Sequence, residues 1–238
     1  MMDFSQSVLD VQLHEDATFS NFYAGKNTQL ISHLKQFLEK KEDHFFYLAG
    51  TVGSGKSHLL QACCHEITKE NRTATYIPLE NFRLFNVKLL ENLEEIDFIA
   101  VDDIQCISEN KEWQIALMNL YNFSKEIKSK LFMCGDALPQ TLNLTLADLR
   151  SRLSWGQVYQ LYPLEDEEKI LVLQAKASAR GFELSQEIGN FLLRHCSRQM
   201  PALFSILEKL DYASLAAQRR LTIPFVKEVL KKIPATKK

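Results

Sequence analysis

The chain has 238 residues, of which 46% are hydrophobic and 24% charged, and a formal net charge of −2. These values fit one large globular domain or a domain with a small partner, and exclude a collagenous or low-complexity chain. The near balance of 28 Lys+Arg against 30 Asp+Glu lacks the cationic excess that drives direct, non-specific nucleic-acid binding, so any association with DNA is expected to be indirect.

The elements alternate along the chain. A tail, residues 1–17, precedes a predicted helix over 27–41 and the apolar strand "HFFYLAG" (44–50). A helix over 57–70 leads to strand "TATYIPL" (73–79), and a helix over 83–95 to strand "IDFIAVDD" (96–103). Trp113, Ala116, Leu117, Leu120, Tyr121 and Ile127 recur at three- and four-residue steps and predict a helix over 112–128. Strands "KLFMCGD" (130–136) and "QVYQLYP" (157–163) follow. Alternation of this kind predicts a parallel sheet covered on both faces.

Strand signals stop after Pro163. "LEDEEKILVLQAKASARG" opens on acidic residues suited to a helix N-terminus and ends at Gly181, a C-terminal stop. Helices are expected near 185–196, 200–220 and 223–232, the last capped by Thr222 with Pro224 in its first turn. The five cysteines form no CxxC pair and no metal-ligand spacing, and most lie in apolar runs, where a free thiol acts as a small core residue. No apolar stretch approaches a membrane span, and "MMDFSQSVLD" lacks a signal-peptide pattern. A reducing, cytoplasmic compartment is expected.

Gly50-Thr51-Val52-Gly53-Ser54-Gly55-Lys56-Ser57 follows an apolar strand and opens a helix, the context a GxxxxGKS phosphate loop requires. Its glycines let main-chain N–H groups turn toward a β-phosphate at a helix N-terminus. Lys56 would reach the outer phosphates of ADP or ATP, and Ser57 would ligate Mg²⁺. "IDFIAVDD" sets Asp102 at a strand's C-terminal edge, where it can hold the metal's water shell; Asp103 can orient or deprotonate an attacking water. Asp136, at the end of the next strand, either meets the γ-phosphate or water or is a plain residue of the "GD" turn. His58 and His65 follow the loop at helical spacing without companion ligands, which argues against a metal site; His58 is kept as a cofactor-side candidate.

This combination resembles the AAA+ ATPases of the bacterial replication-initiator (DnaA) class, and within it the regulatory-inactivator branch. The resemblance rests on "TFSNFYAGKN" (18–27), "GTVGSGKSHLL", "VDDIQCI", "GDALP", "LRSRLSWGQVYQLYPL" (149–164), "ARGFEL" (179–184) and "LTIPFVKEVL" (221–230). It implies an α/β AAA+ P-loop fold: a five-stranded parallel base over 18–164 and an all-α lid over 165–238. It implies that Phe22, Tyr23 and Gly25 lie near the nucleotide base, and that Arg152, with Arg150 beside it, reaches into a neighbour's nucleotide site as an arginine finger. A planar fork of donors suits the spread charge of a transferring phosphoryl group. In the tail, "QSVLDV" aligns with a sliding-clamp-binding peptide, with Gln6 and Leu9 as its fitting residues and Gln12-Leu13 as a competing register.

Initiators of this class carry a DNA-binding domain after the lid, whereas this sequence ends at Lys238. The resemblance therefore implies a regulator whose partners are the initiator DnaA and the sliding clamp (β subunit), with DNA reached only through the clamp and no membrane. The lid position that normally carries a γ-phosphate-sensing arginine is Pro201, with Arg198 three residues earlier. That departure implies a protein that mainly holds its nucleotide, with slow turnover of its own. The other reading is a helicase-loader-like ATPase acting through its own hydrolysis. The oligomeric state stays open, a homo-oligomer included.

Overall fold

The computed structural model describes residues 13–40 and 42–232, and the chain divides into two compact units, Met1–Pro163 and Leu164–Lys238. In the first unit, strands β1 (Phe45–Gly50), β2 (Ala74–Pro78), β3 (Phe98–Asp102), β4 (Lys130–Gly135) and β5 (Gln157–Leu161) form one sheet in the order β2-β3-β4-β1-β5. Every pairing is parallel, as the alternation of strands and helices predicts. β1, β3 and β4 are buried along their whole length, which is why each reads as an unbroken apolar run.

Successive side chains of a strand point to opposite faces, and the two faces carry separate cores. Phe46, Leu48, Phe98 and Phe132 pack under helices α1 (Thr28–Glu39) and α2 (Lys56–Lys69), against Leu34, Phe37, Leu59 and Ile67. Tyr47, Ile99, Val101 and Met133 face α3 (Lys111–Glu126) and the short α4 (Ala147–Leu153), against Leu117, Leu120, Leu149 and Leu153. Complete burial of one such side chain contributes about 1.5–3 kcal/mol, so these layers set the geometry of the loops at the strands' C-terminal ends.

The helix expected over 83–95 does not form. Two short 3₁₀ turns, Leu79–Leu84 and Val87–Leu90, occupy that stretch. Asn86 caps the start of the second turn by accepting the Lys88 N–H with its side chain, and Asn92 takes a left-handed φ of 58°. Phe82, Leu90 and Leu93 still enter the core from this irregular backbone. Helix α4, which carries Arg150 and Arg152, was absent from the sequence expectation.

The second unit holds α5 (Asp166–Ala179), α6 (Gln186–His195), α7 (Met200–Ala217) and α8 (Ile223–Lys232). A reciprocal capping box of Glu165 and Glu168 starts α5, Ser185 caps α6, and Pro201 sits in the first turn of α7. Ile170, Leu173, Leu192, Leu203, Leu207 and Val226 form its own core. Among the described residues no helix is long and apolar enough to cross a membrane.

Candidate nucleotide site and arginine surface

β1 ends at Gly50 and α2 begins at Lys56, so the phosphate-loop motif spans the strand-to-helix turn. Gly55 adopts φ 106°, and a Cβ there would lie 2.8 Å from Cε2 of Phe22, so both backbone conformation and space require glycine. No side chain caps α2, which leaves its first N–H groups aimed into the loop. The Ser54 hydroxyl is buried with no hydrogen-bond partner among the described residues. Lys56 is 6% exposed, and its ammonium donates to the Thr51 carbonyl at 3.3 Å, across the loop. An uncapped helix start, an orphan hydroxyl and a buried cation together match the chemistry of a phosphate. Ser57 is partly buried in the first helical turn, Gly53 takes φ 76°, and Val52 is exposed at the loop's tip.

Asp102, 1% exposed, ends β3. Its Oδ1 accepts the Asp103 N–H at 2.9 Å and the Cys134 thiol; its Oδ2 accepts the Tyr76 hydroxyl at 2.7 Å. Burial, followed by the charge of Asp102, pushes the Cys134 thiol and the Tyr76 phenol well above their ordinary pKa values, so both stay protonated and remain donors.

Asp103 takes a left-handed φ of 56°, which turns its carboxylate away from the strand direction. Burial and then the Asp102 charge raise its pKa, while the Gln105 amide and Lys56 oppose that rise. Gln105 joins two predicted residues: its Nε2 donates to Asp103 Oδ1 at 2.8 Å, and its Oε1 accepts the Asp136 N–H at 3.2 Å. Asp136 itself is exposed just beyond β4.

The segment before α1 lies against this site. The Phe22 ring packs 5.4 Å from His58, and His58 Nε2 lies 2.8 Å from the Thr18 carbonyl, so this imidazole is engaged by the chain's own backbone. The His14 N–H donates to Gln61 Oε1 at 2.9 Å, and His65 Nε2 lies 3.1 Å from the His14 carbonyl. Buried Asn27 brackets the end of β5, donating to the Tyr162 carbonyl at 3.0 Å and accepting the Tyr162 N–H at 2.9 Å. Tyr23 is 40% exposed and Gly25 takes φ 49°. Sequence reasoning missed Gln61, Tyr76, Gln105, Cys134 and Asn27, because no local spacing marks a residue whose partner lies on another strand or helix.

Arg152 projects from α4, partly buried. Its guanidinium donates to Asn122 Oδ1 on α3 at 2.5 Å and lies 6.0 Å from the centroid of the Tyr121 ring. It makes no ion pair among the described residues, and neither does its neighbour Arg150. The loop leading into α4 is fastened to α3 by Gln114, whose Oε1 accepts the Leu146 N–H at 2.9 Å and the Thr145 hydroxyl at 3.2 Å. Trp155, just past α4, is 70% exposed.

In the helical unit Pro201 is exposed. Arg198 is committed locally: its Nε donates to the Leu193 carbonyl and its guanidinium pairs with Asp166, both at 3.2 Å. Gln6, Leu9 and Gln12 lie outside the described residues.

The sheet order, the phosphate loop after β1 and the buried aspartate ending β3 define a P-loop protein of the AAA+ class. Comparison with known proteins narrows this. A family model described as the bacterial DnaA ATPase domain matches residues 13–160, and one described as "Hda, lid domain" matches residues 166–230. The chain belongs to the DnaA-related AAA+ family, with a helical unit of the Hda lid type.

Among solved structures, domain III of the Thermotoga maritima replication initiation protein DnaA superposes with a TM-score of 0.80 at 22% identity, covering 92% of this chain and 98% of that one. AMPPCP-bound DnaA from Aquifex aeolicus matches at 0.70 and 22% identity, covering 87% of this chain and 69% of that one. The Thermotoga maritima RuvB Holliday junction branch migration motor matches at 0.68 and 16% identity, over 91% and 72%. At these identities the structural likeness carries the fold.

Proposed function

We propose that the chain is a nucleotide-holding regulator that switches off the replication initiator DnaA. In this reading the loop N–H groups from Gly53 to Ser57, with Lys56, grip the phosphates of ADP or ATP. The buried, unpartnered Ser54 hydroxyl and the uncapped start of α2 support that role. Ser57 and Asp102 would hold Mg²⁺, which neutralises phosphate charge when bound. Gln6 and Leu9 attach the chain to the DNA-loaded sliding clamp, and the chain docks on the ATP form of the initiator. Arg152 then enters the initiator's site and stabilises the transferring phosphoryl group, which prevents re-initiation.

The observation that carries this reading is the state of Arg152. A guanidinium held by a neutral amide and an aromatic face, with no carboxylate paired to it among the described residues, keeps its charge for a partner. Arg198, spent on Asp166 and Leu193, is a poor substitute for the missing lid arginine, which fits weak turnover by the chain itself.

The test is initiator ATP hydrolysis with loaded clamp. Arg152→Ala should abolish stimulation and leave clamp and nucleotide binding intact, and full stimulation by the variant would sink the assignment. One feature favours the helicase-loader-like alternative: Asp103 is held by Gln105 beside Lys56, a usable hydrolytic arrangement. Robust turnover by the isolated chain, raised by single-stranded DNA, would mark that function instead.

A further inference from the structure

Trp155 is 70% exposed, whereas the chain's other tryptophan, Trp113, is 4% exposed in the core. Its backbone is held in a stiff frame. The Trp155 main-chain N–H closes a turn on the Arg152 carbonyl at 2.9 Å, and the Ser154 hydroxyl donates to the Arg150 carbonyl at 3.0 Å. On the other side, a Cβ at Gly156 would lie 2.9 Å from the Phe45 carbonyl oxygen, so the chain after Trp155 presses on the start of β1. Gln157 then enters β5 and donates to Asp43 Oδ2 at 2.8 Å. An exposed ring on a backbone already fixed in this way loses little entropy when a partner covers it.

A cleft of about 310 Å³ opens beside the ring, lined by His44, Phe45, Tyr121 and Trp155 itself. Phe45 and Tyr121 meet edge-on at 4.9 Å, and His44 Nδ1 is buried with no hydrogen-bond partner among the described residues. The Arg152 guanidinium lies 6.0 Å from the centroid of the same Tyr121 ring. Arginine and cleft therefore share one side chain, and Trp155 sits within one turn of the arginine. Arg150 and Arg152, both in the last turn of α4, give this face cations that complement the phosphates of a bound nucleotide. A molecule that admits Arg152 to its nucleotide must also cover the surface at the arginine's base.

We propose that Trp155 and this cleft are the docking surface for the ATP-bound initiator, Trp155 supplying affinity where Arg152 supplies catalysis. The inference rests on the regulator reading above and names the part of the chain that recognises the partner. Tryptophan is enriched among the few residues that carry most of an interface's binding energy, and truncating such an anchor costs about 30-fold in affinity.

The test titrates the full-length chain into ATP-bound initiator with loaded clamp and reads hydrolysis. Trp155→Ala should raise the concentration for half-maximal stimulation about 30-fold and leave the plateau rate unchanged. Trp155→Phe, which keeps an aromatic ring, should recover most of the loss. Arg152→Ala should do the reverse, losing the plateau while still competing with wild type for the initiator. A second readout is fluorine NMR of the fluorotryptophan-labelled chain. The Trp155 signal should lose its solvent isotope shift when unlabelled initiator, loaded with a non-hydrolysable ATP analogue, is added with the clamp. The buried Trp113 signal reports that each variant is folded.

A Trp155→Ala titration that matches wild type overturns the proposal. So does a lost plateau at unchanged half-maximal concentration, which would make Trp155 a support for Arg152. A ring covered by the clamp alone overturns it, as does self-association of the chain that Trp155→Ala abolishes while the titration stays put. Full stimulation by Arg152→Ala marks the separate failure of the finger assignment, with the Trp155 titration read on its own. Only the absence of any stimulation by the wild type removes both.

Discussion

Arg152 and Asn122, thirty residues apart, meet where α4 crosses α3, and the guanidinium donates to the amide oxygen at 2.5 Å. The neutral acceptor orients the arginine without discharging it. Asn122→Ala should therefore leave nucleotide affinity intact and reduce stimulation of the initiator by about 10-fold, the lower range for a hydrogen bond to a charged group. Arg152→Ala should cost on the order of 10³ or more, the range for fingers supplied in trans. Initiator turnover against concentration of each variant checks both.

Gly55 carries the sharp turn into α2 with φ 106° and sits against Phe22. Gly55→Ala forces a side chain into a left-handed conformation, at about 1–2 kcal/mol, as well as into the Phe22 ring. ADP affinity should fall at least 10-fold, read by calorimetry. Phe22→Ala should relieve the clash but not the backbone strain, so a double variant should recover only part of the loss.

Lys130 is 5% exposed at the start of β4 and donates to the carbonyls of Phe37 at 2.6 Å, Lys40 at 2.5 Å and Asp43 at 3.1 Å. It ties the C-terminus of α1 to the sheet. Lys130→Met leaves these acceptors unmet and should destabilise the protein by about 2–4 kcal/mol at pH 7, read by denaturant unfolding.

The same residue predicts a pH signature. Burial and then Arg72 lower the Lys130 pKa from 10.5 to about 8, against the pull of Asp43. Between those values the unfolded chain binds the proton and the folded chain releases it, so stability relative to Lys130→Met should rise with pH, by up to about 3 kcal/mol. Below pH 8 both states are protonated, and the difference should be flat. Paired unfolding curves from pH 7 to 10.5 test this.

Asp103 has a raised pKa, and Gln105 is one of the two groups that oppose the rise. If the chain turns over ATP slowly with Asp103 as base, the rate falls as pH drops through that pKa. Gln105→Leu removes the stabilising donor and should move the acid limb to higher pH. A limb that stays put would mean Asp103 is not the base.

Much of the fold was legible in local chemistry. Unbroken apolar runs announced the fully buried strands β1, β3 and β4, because a parallel strand covered on both faces has no polar side. The segment 79–95 was not legible. A helix was expected over 83–95, but the Asn86 side chain bonding the Lys88 N–H, and a left-handed Asn92, break the backbone there.

What the sequence determined by itself is whatever depends on near neighbours: the glycines of the phosphate loop, the acidic residues that start α5, the carboxylates that end β3. Those effects act within a turn or two, so spacing alone reveals them. Only the tertiary structure decided which side chains hold the site. Tyr76 reaches Asp102 because β2 lies beside β3, Gln61 reaches His14 because the N-terminal segment folds back on α2, and Arg152 reaches Asn122 because α4 crosses α3. Such partners are brought together by sheet order and core packing, which no short stretch of chain encodes.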